Sequence, residues 1–259
     1  MNYRTKQDRV STGLALGVLL LAGVAGCTLE EVDSDAIRTQ GLYADILAIA
    51  PGDGSTLVRV ELTVGGASGT KVQLVGEDAL VAEAGEAVEG LSRSAAGRYE
   101  EWLPSDAAGP ISVRFERGPG DDPGGGTAQL PEPFAMELET DDSVGIDRSS
   151  SVVALWEASG DGGSIDWAVE GRCIWADSGT TPDDGALTLG PEHVRVRPTK
   201  TGDDCEVLLT LERGAQGDVD RVFVPGSRFR ALQRRGVTFV STPARNETGG
   251  PAPAIDAGS

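Results

Sequence analysis

Carboxylates are the chemically active side chains that this sequence supplies most freely, with 41 Asp and Glu residues against a single histidine. General acid–base catalysis needs two such groups held at a defined separation. The pairs Asp161 with Asp166 and Glu100 with Glu101 have spacings that do not separate catalysis from chance. His193 has no nucleophile motif around it, and no serine stands in a G-x-S-x-G elbow. We therefore predict no catalytic residue; a hydrolase using paired carboxylates is the alternative.

Aspartates recur in the predicted loops, where their oxygens are suitable ligands for Ca²⁺, which takes about six to eight of them. None of these loops matches the D-x-[DN]-x-[DN]-G-x-x-x-x-x-E pattern of a calcium loop. The few cysteines and the single histidine also argue against a zinc site. We predict no metal and no cofactor, and a calcium-dependent adhesion module is a second alternative. The loop aspartates are Asp53, Asp121, Asp122, Asp141, Asp142, Asp161, Asp183, Asp184, Asp203, Asp204, Asp218 and Asp220.

One basic cluster stands out in this acidic chain, and it consists of Arg228, Arg230, Arg234 and Arg235. On a strand the first three share parity and point to one side, because successive side chains alternate between faces. We interpret the cluster as a candidate docking patch for an anionic partner such as a phosphorylated glycan. The alternative is a solvated face that neutralises nearby acids.

The N-terminus has the features of a processed leader. Arg4, Lys6 and Arg9 form a positive segment, and Gly13–Gly26 is an uncharged apolar run of 14 residues. Such a run suits the hydrophobic part of a signal peptide and is shorter than the ~20 residues that span a bilayer. It leads into the sequence VAGC at residues 24–27, which resembles the lipobox of bacterial lipoproteins.

This resemblance implies that residues 1–26 are removed and that Cys27 becomes a diacylglycerol-modified cysteine. Several acyl chains anchor a protein stably, whereas a single chain holds it weakly. Thr28 stands where lipoproteins retained in the inner membrane often have Asp, so it favours the outer membrane of a Gram-negative cell envelope. An uncleaved N-terminal anchor is the alternative.

Net charge limits the partners of this chain. The formal charge is −19, and residues 1–26 hold three of the 22 basic residues but one of the 41 acidic residues. The mature chain is therefore still more acidic, and it should repel nucleic acid and anionic membrane surfaces. We expect contact with a membrane through the lipid on Cys27, and an envelope protein or glycan as the partner.

Beyond the lipobox, the cysteines are Cys173 and Cys205. In an exported protein, two remaining cysteines most simply form a disulfide. Closing the loop between them would stabilise the fold by roughly 3–4 kcal/mol on the chain-entropy model. Two free buried thiols are the alternative.

Alternation of apolar and polar residues predicts β-strands along most of the chain. Leu57–Val64, Lys71–Val75 and Ile111–Glu116 each show the period of two that marks a half-buried strand. Gly118–Thr127 is glycine-rich and is predicted as a solvated hairpin loop. Ala79–Gly97 has the weakest pattern and is compatible with a short helix.

The second half contains a more specific pattern. Ser151–Gly160 is a strand that includes Trp156, and a glycine-rich turn then leads to the aromatic strand Ile165–Glu170. This order resembles the B strand, loop and C strand of a fibronectin type III domain. The resemblance implies that Trp156 fills the space between two sheets. Arg228–Val240, another alternating run, would close one of these sheets.

Together these patterns predict an all-β chain with two tandem β-sandwich domains, Ig-like or fibronectin type III-like, after a cleaved lipoprotein signal peptide. The predicted segments are a signal peptide (1–26), the lipidated cysteine and a tether (27–40), two sandwiches (41–140 and 141–243) and a disordered tail (244–259). The chain also resembles two-domain envelope lipoproteins. We expect a membrane-anchored, non-catalytic binding or scaffold module.

Overall fold

The computed structural model describes residues 31–139, 145–198 and 204–243. In these ranges the chain is nearly all β, with 18 strands and two short 3-10 turns at Ser34–Ala36 and Thr39–Gly41. The predicted all-β class is confirmed. No helix within the described ranges is long and apolar enough to cross a membrane. The lipobox with Cys27 and the predicted tail at 244–259 lie outside the described residues.

The first lobe is a sandwich of two sheets that face each other across one apolar core. Its first sheet contains β1 (Glu31–Asp33), β2 (Leu42–Ala50), β3 (Thr56–Val64), β4 (Thr70–Gln73), β7 (Ser92–Ala95) and β8 (Arg98–Leu103), and its second contains β5 (Ala79–Ala84), β6 (Ala87–Gly90), β9 (Gly109–Glu116) and β10 (Gly124–Leu130). The alternation predicted for β3 is present, because Val58, Val60 and Leu62 are buried. From the second sheet, Ile111 and Phe115 enter the same core.

The second lobe is a smaller sandwich around its own core. One sheet contains β12 (Ile146–Asp147), β14 (Ser164–Gly171), β15 (Asp177–Pro182), β17 (Cys205–Val219) and β18 (Arg228–Thr242), and the other contains β11 (Met136–Leu138), β13 (Val152–Trp156) and β16 (Ala186–Leu189). Trp156 is 8% exposed and packs in this core. The position predicted for this tryptophan is therefore confirmed.

Strands β17 and β18 form one long hairpin that belongs to both lobes. They pair from Cys205–Ser241 to Gly217–Phe229. Near the hairpin turn, β18 pairs in parallel with β2, and β17 pairs with β10 of the first lobe. The remainder of the hairpin carries β14 and β12 of the second lobe. A strand of 15 residues spans about 50 Å along its length.

The two cores do not divide at residue 140, where the sequence predicted the domain boundary. Phe223, Phe229 and Ala231 lie in the first core, although the prediction assigned them to the second domain. Odd-numbered residues of β18 point to one side along the whole strand, so its early ones enter the first core and Phe239 enters the second. The chain therefore has two lobes on one shared hairpin rather than two consecutive units.

Residues 31–40, predicted as part of a polar tether, are folded onto the first lobe. Strand β1 pairs in parallel with β4, and Ser34 and Thr39 are buried. The fully buried side chain of Arg117 donates to the carbonyl oxygens of Ser34 and Ile37 at 2.9 and 3.1 Å. The sequence pattern does not show this packing, because Arg117 lies about 80 positions away from these carbonyls.

Two further segments differ from their predictions. Ala79–Gly97 contains three strands, β5 to β7, and no helix. Gly124–Thr127, predicted as part of a loop, opens strand β10. A Cβ atom at Gly125 would lie 2.5 Å from the carbonyl oxygen of Val113, so close packing of two strands requires this glycine. The glycines that suggested a loop are therefore present because two strand backbones approach closely here.

Candidate functional site

Arg213 lies where the two lobes meet, and directed bonds surround its guanidinium. Its Nε donates to Asp183 Oδ2 at 2.6 Å and its Nη2 to Oδ1 at 3.0 Å, while the carbonyls of Glu132 and Glu157 accept the remaining bonds. Asp183 also accepts from Trp156 Nε1 at 2.7 Å. Burial by itself raises the pKa of Asp183, but the hydrogen bonds from Arg213 and Trp156 outweigh it and lower this pKa.

Phe134 provides an apolar surface for two arginines at this junction. The guanidiniums of Arg213 and Arg235 lie 4.6 and 5.3 Å from the centre of its ring. Arg235 also donates to the carbonyl oxygens of Phe134 at 2.7 Å and Ala50 at 3.1 Å. Burial, followed by the nearby charge of Arg213, lowers the pKa of Arg235. These contacts connect both lobes, and they give the junction a structural role.

The predicted docking arginines at 228, 230, 234 and 235 divide between two faces of β18. Arg235 has the opposite parity and contacts the junction. On the other face, Arg228 donates to both carboxylate oxygens of Asp45 at 2.9 and 2.6 Å, and Arg234 Nε donates to Glu212 at 2.6 Å. The structure therefore does not bring the four guanidiniums to one surface.

The two carboxylates of each candidate acid–base pair have different hydrogen-bond partners or point to opposite faces of a sheet. Asp161 accepts from the hydroxyl of Ser159, and Asp166 accepts from that of Thr180, each at 2.6 Å. The hydrogen bond from Ser159 is the largest cause of a lowered pKa at Asp161. Glu100 and Glu101 are consecutive residues of β8, so they point to opposite faces of the sheet.

His193 contacts an acid that its local sequence does not indicate. Its Nδ1 lies 2.9 Å from Asp177 Oδ2, and its ring meets that of Trp167 edge-on at 5.1 Å. The hydrogen bond from His193 is the largest cause of the lowered pKa of Asp177. This dyad lies at the surface, since both side chains are at least one third exposed.

The loop aspartates are mostly bonded within their own loops or to arginines. Asp53 accepts from the amide and hydroxyl of Ser55, and Asp121 pairs with Arg117 at 2.8 Å. In the part of the chain that the structure describes, no group of three or more His, Cys, Asp or Glu side chains is arranged to hold a metal ion. The aspartates at 141, 142 and 203 lie outside that part.

Cys173 and Cys205 form the predicted disulfide, with their Cα atoms 6.1 Å apart. The bridge fastens the segment after β14 to the first residue of β17. That segment also pairs with residues 194–198, through a bridge between Ile174 and Val196. Two backbone hydrogen bonds complete this ribbon, from Trp175 N–H to Arg195 O at 2.9 Å and from Arg197 N–H to Cys173 O at 2.8 Å.

The ribbon displays an aromatic ring among cations, and we name Arg172, Trp175, Arg195 and Arg197 the distal tip. Trp175 is 53% exposed, and the Arg197 guanidinium lies 5.2 Å from the centre of its ring. Arg197 Nε donates to the carbonyl of Ile174 at 2.8 Å, which fixes that side chain. All three arginines are exposed, and none has a carboxylate within ion-pair distance among the described residues.

Beside the distal tip lies an open concavity of about 690 Å³. Arg172 and Arg197 line it together with the carboxylates Glu170 and Glu206 and the half-exposed Leu208. Sequence reasoning missed this site because its arginines are scattered over more than 20 positions. The one sign of this site in the sequence is Trp175, two residues after Cys173. Its importance becomes clear only when its segment is seen to pair with residues 194–198.

Comparison with known proteins adds little to this geometry. No protein-family model matches the chain, and no curated protein matches it either. A solved structure of titin domains A168–A170 is similar over 76% of this chain and 62% of its own, with 9% identity and a TM-score of 0.22. The native conformation of E. coli alpha-2-macroglobulin is similar over 79% of this chain, with 12% identity and a TM-score of 0.23.

The chain spans 62% of the titin structure and 14% of the macroglobulin. TM-scores this low support no conclusion about function. The all-β sandwich assignment therefore stands on the strand pairing and on the two cores of this chain.

Proposed function

We propose that this chain is a cell-envelope lipoprotein, anchored by lipid on Cys27, that acts as a non-catalytic binding or scaffold module. The observation that carries this proposal is the position of the first strand. Folded structure begins by Glu31, and the four residue steps from Cys27 reach at most about 14 Å. A lipid on Cys27 would therefore hold the first lobe directly at the membrane surface.

The shared hairpin supports an orientation in which its turn end lies near that membrane and its other end points away from it. Strand β1 is connected through β4 and β3 to Tyr43 in β2, by the pairs Glu31–Lys71, Lys71–Thr63 and Thr63–Tyr43. Tyr43 lies two residues before the partner of Arg228, the first residue of β18. The membrane end is therefore the hairpin-turn end, and the distal tip lies toward the other end of β18.

Replacing the proposed lipidated cysteine tests the anchor. Cys27→Ser should move the protein from the membrane fraction to the soluble fraction, because the lipid is the expected membrane contact. Ser178→Ala serves as the control, since Ser178 is an exposed residue of β15 outside the lipobox and its replacement should leave the chain in membranes. Membrane association that persists in Cys27→Ser would contradict the proposal.

Crosslinking in intact envelopes tests the module. A binding or scaffold role predicts that a defined envelope protein or glycan is recovered with the full chain. Turnover of an envelope glycan by the purified protein would instead establish the hydrolase alternative.

A further inference from the structure

We infer that the distal tip binds an acidic polysaccharide, with its carboxylate or phosphate groups on the arginines and a sugar ring against Trp175. The inference rests on the proposed function for its setting, because an envelope protein that extends from its membrane meets surface glycans. The binding itself needs no anchor. It can therefore be tested separately from the lipid on Cys27.

The charges of the distal tip favour an anionic ligand. Eight arginines of the described residues pair with a carboxylate, including the exposed Arg93, Arg114 and Arg228. The arginines at 172, 195 and 197 form no such ion pair among the described residues, although the charge of Arg195 contributes to the lowered pKa of Asp177. Arginine recognises carboxylates and phosphates through paired hydrogen bonds. A cluster of available guanidiniums is therefore complementary to repeated negative charge.

The exposed indole favours a ligand with a flat apolar face. Trp175 leaves about half of its surface in water, and burying an aromatic side chain of this size contributes strongly to binding. The Arg197 guanidinium is already stacked against the indole. A sugar ring can pack on the indole while an acidic substituent on that ring contacts Arg197.

The backbone holds these groups in place before any ligand arrives. The disulfide to Cys205, the bridge between Ile174 and Val196, and the bond from Arg197 to the carbonyl of Ile174 fix the ribbon. A binding surface that is ordered in advance loses less conformational entropy on association.

The carboxylates beside the distal tip favour a polysaccharide over other anionic ligands. Glu170 and Glu206 line the adjoining concavity, where they can accept hydrogen bonds from sugar hydroxyls. Bare carboxylate or phosphate groups would be repelled by these two glutamates, whereas a polysaccharide also offers hydroxyl donors on every ring. The tip also lies away from the end of the molecule that carries β1, which would face the membrane. A polysaccharide fits both observations.

Calorimetric titration of the detergent-solubilised full chain with polygalacturonate tests the inference, with neutral dextran as the matched control. We expect binding to polygalacturonate that weakens as salt is added. Replacing the three tip arginines by Gln, or Trp175→Ala, should weaken it by about tenfold or more. The controls are Arg38→Gln with Arg221→Gln, which are exposed arginines elsewhere, and Trp102→Ala, at a tryptophan 50% exposed on the first lobe.

Binding that is lost in the tip variants and kept in the controls supports the inference. Equal losses in both sets, equal affinity for dextran, or no binding to polygalacturonate would overturn it. Tighter binding to poly-L-glutamate or to phosphatidylglycerol vesicles would also overturn it, in favour of an acidic protein or a membrane. If the triple variant loses its fold, Arg195→Glu supplies the same test at one exposed side chain. Failure here leaves the Cys27→Ser result unchanged.

Discussion

Asp183 and Arg213 stand 30 positions apart and meet in a buried ion pair at the junction of the lobes, with Oδ2 2.6 Å from Nε. The same carboxylate accepts the indole N–H of Trp156. The pair therefore connects the core of the second lobe to the shared hairpin. A buried pair of this kind contributes little net stability, because desolvation offsets attraction, but removing one partner leaves a buried charge without compensation.

Arg213→Ala should therefore lower the free energy of unfolding by about 3–5 kcal/mol, as measured by denaturant titration. Arg213→Met with Asp183→Asn should recover part of this loss, since the amide oxygen of Asn can still accept from Trp156. Arg114→Ala is the control, because its pair with Glu83 is about half exposed on the arginine side and should contribute about 0–1 kcal/mol. Equal losses at the two arginines would show that the junction pair has no special role.

Acid should weaken the same junction. The folded-state pKa of Asp183 lies below its ordinary value: burial raises it, and bonds from Arg213 and Trp156 more than offset that. Its contribution is therefore present above the unfolded pKa of about 3.9 and is lost as pH falls through the lower folded value. Unfolding titrations over a pH series should show stability falling in this acid range, with a shallower fall in Asp183→Asn. Parallel pH profiles would contradict this assignment.

Arg117 should control the folding of residues 31–40. Its buried guanidinium bonds the carbonyls of Ser34 and Ile37 and pairs with Asp78 at 3.1 Å. Arg117→Ala should expose this segment, and hydrogen exchange at the Ile37 amide, which donates to Ser34, should accelerate. Arg114→Ala, three residues earlier and at the surface, should leave that exchange unchanged. Unaltered protection in Arg117→Ala would show that β1 pairing alone holds the segment.

The parts of the fold that follow from local patterns could be predicted. The alternation in Leu57–Val64 and Ile111–Glu116 marks strands because burial of one face repeats every second residue. Trp156 in a core and the bridge from Cys173 to Cys205 are confirmed as well. These features depend on residue type and on short-range spacing, which a sequence displays directly.

The lobe boundary and the positions of the arginines could not be predicted in the same way. The local sequence does not distinguish Arg213 and Arg235 from Arg228. In the structure, Arg213 and Arg235 contact Phe134, whereas Arg228 pairs with Asp45 at the surface. The distal tip likewise depends on residues 172–176 meeting residues 194–198. The position of each of these side chains depends on which strands pair in the folded chain.

The sequence by itself determined the alternating pattern of the strands, the acidic charge, the cysteine pair and the prediction of a lipid on Cys27. Only the tertiary structure decided that β17 and β18 serve two cores, that residues 31–40 belong to the first lobe, and that an exposed tryptophan stands among arginines with no ion pair to the described residues. The physical reason is that periodicity records which side of a strand is buried. It does not record the partner, since a strand pairs through backbone groups that every residue except proline shares.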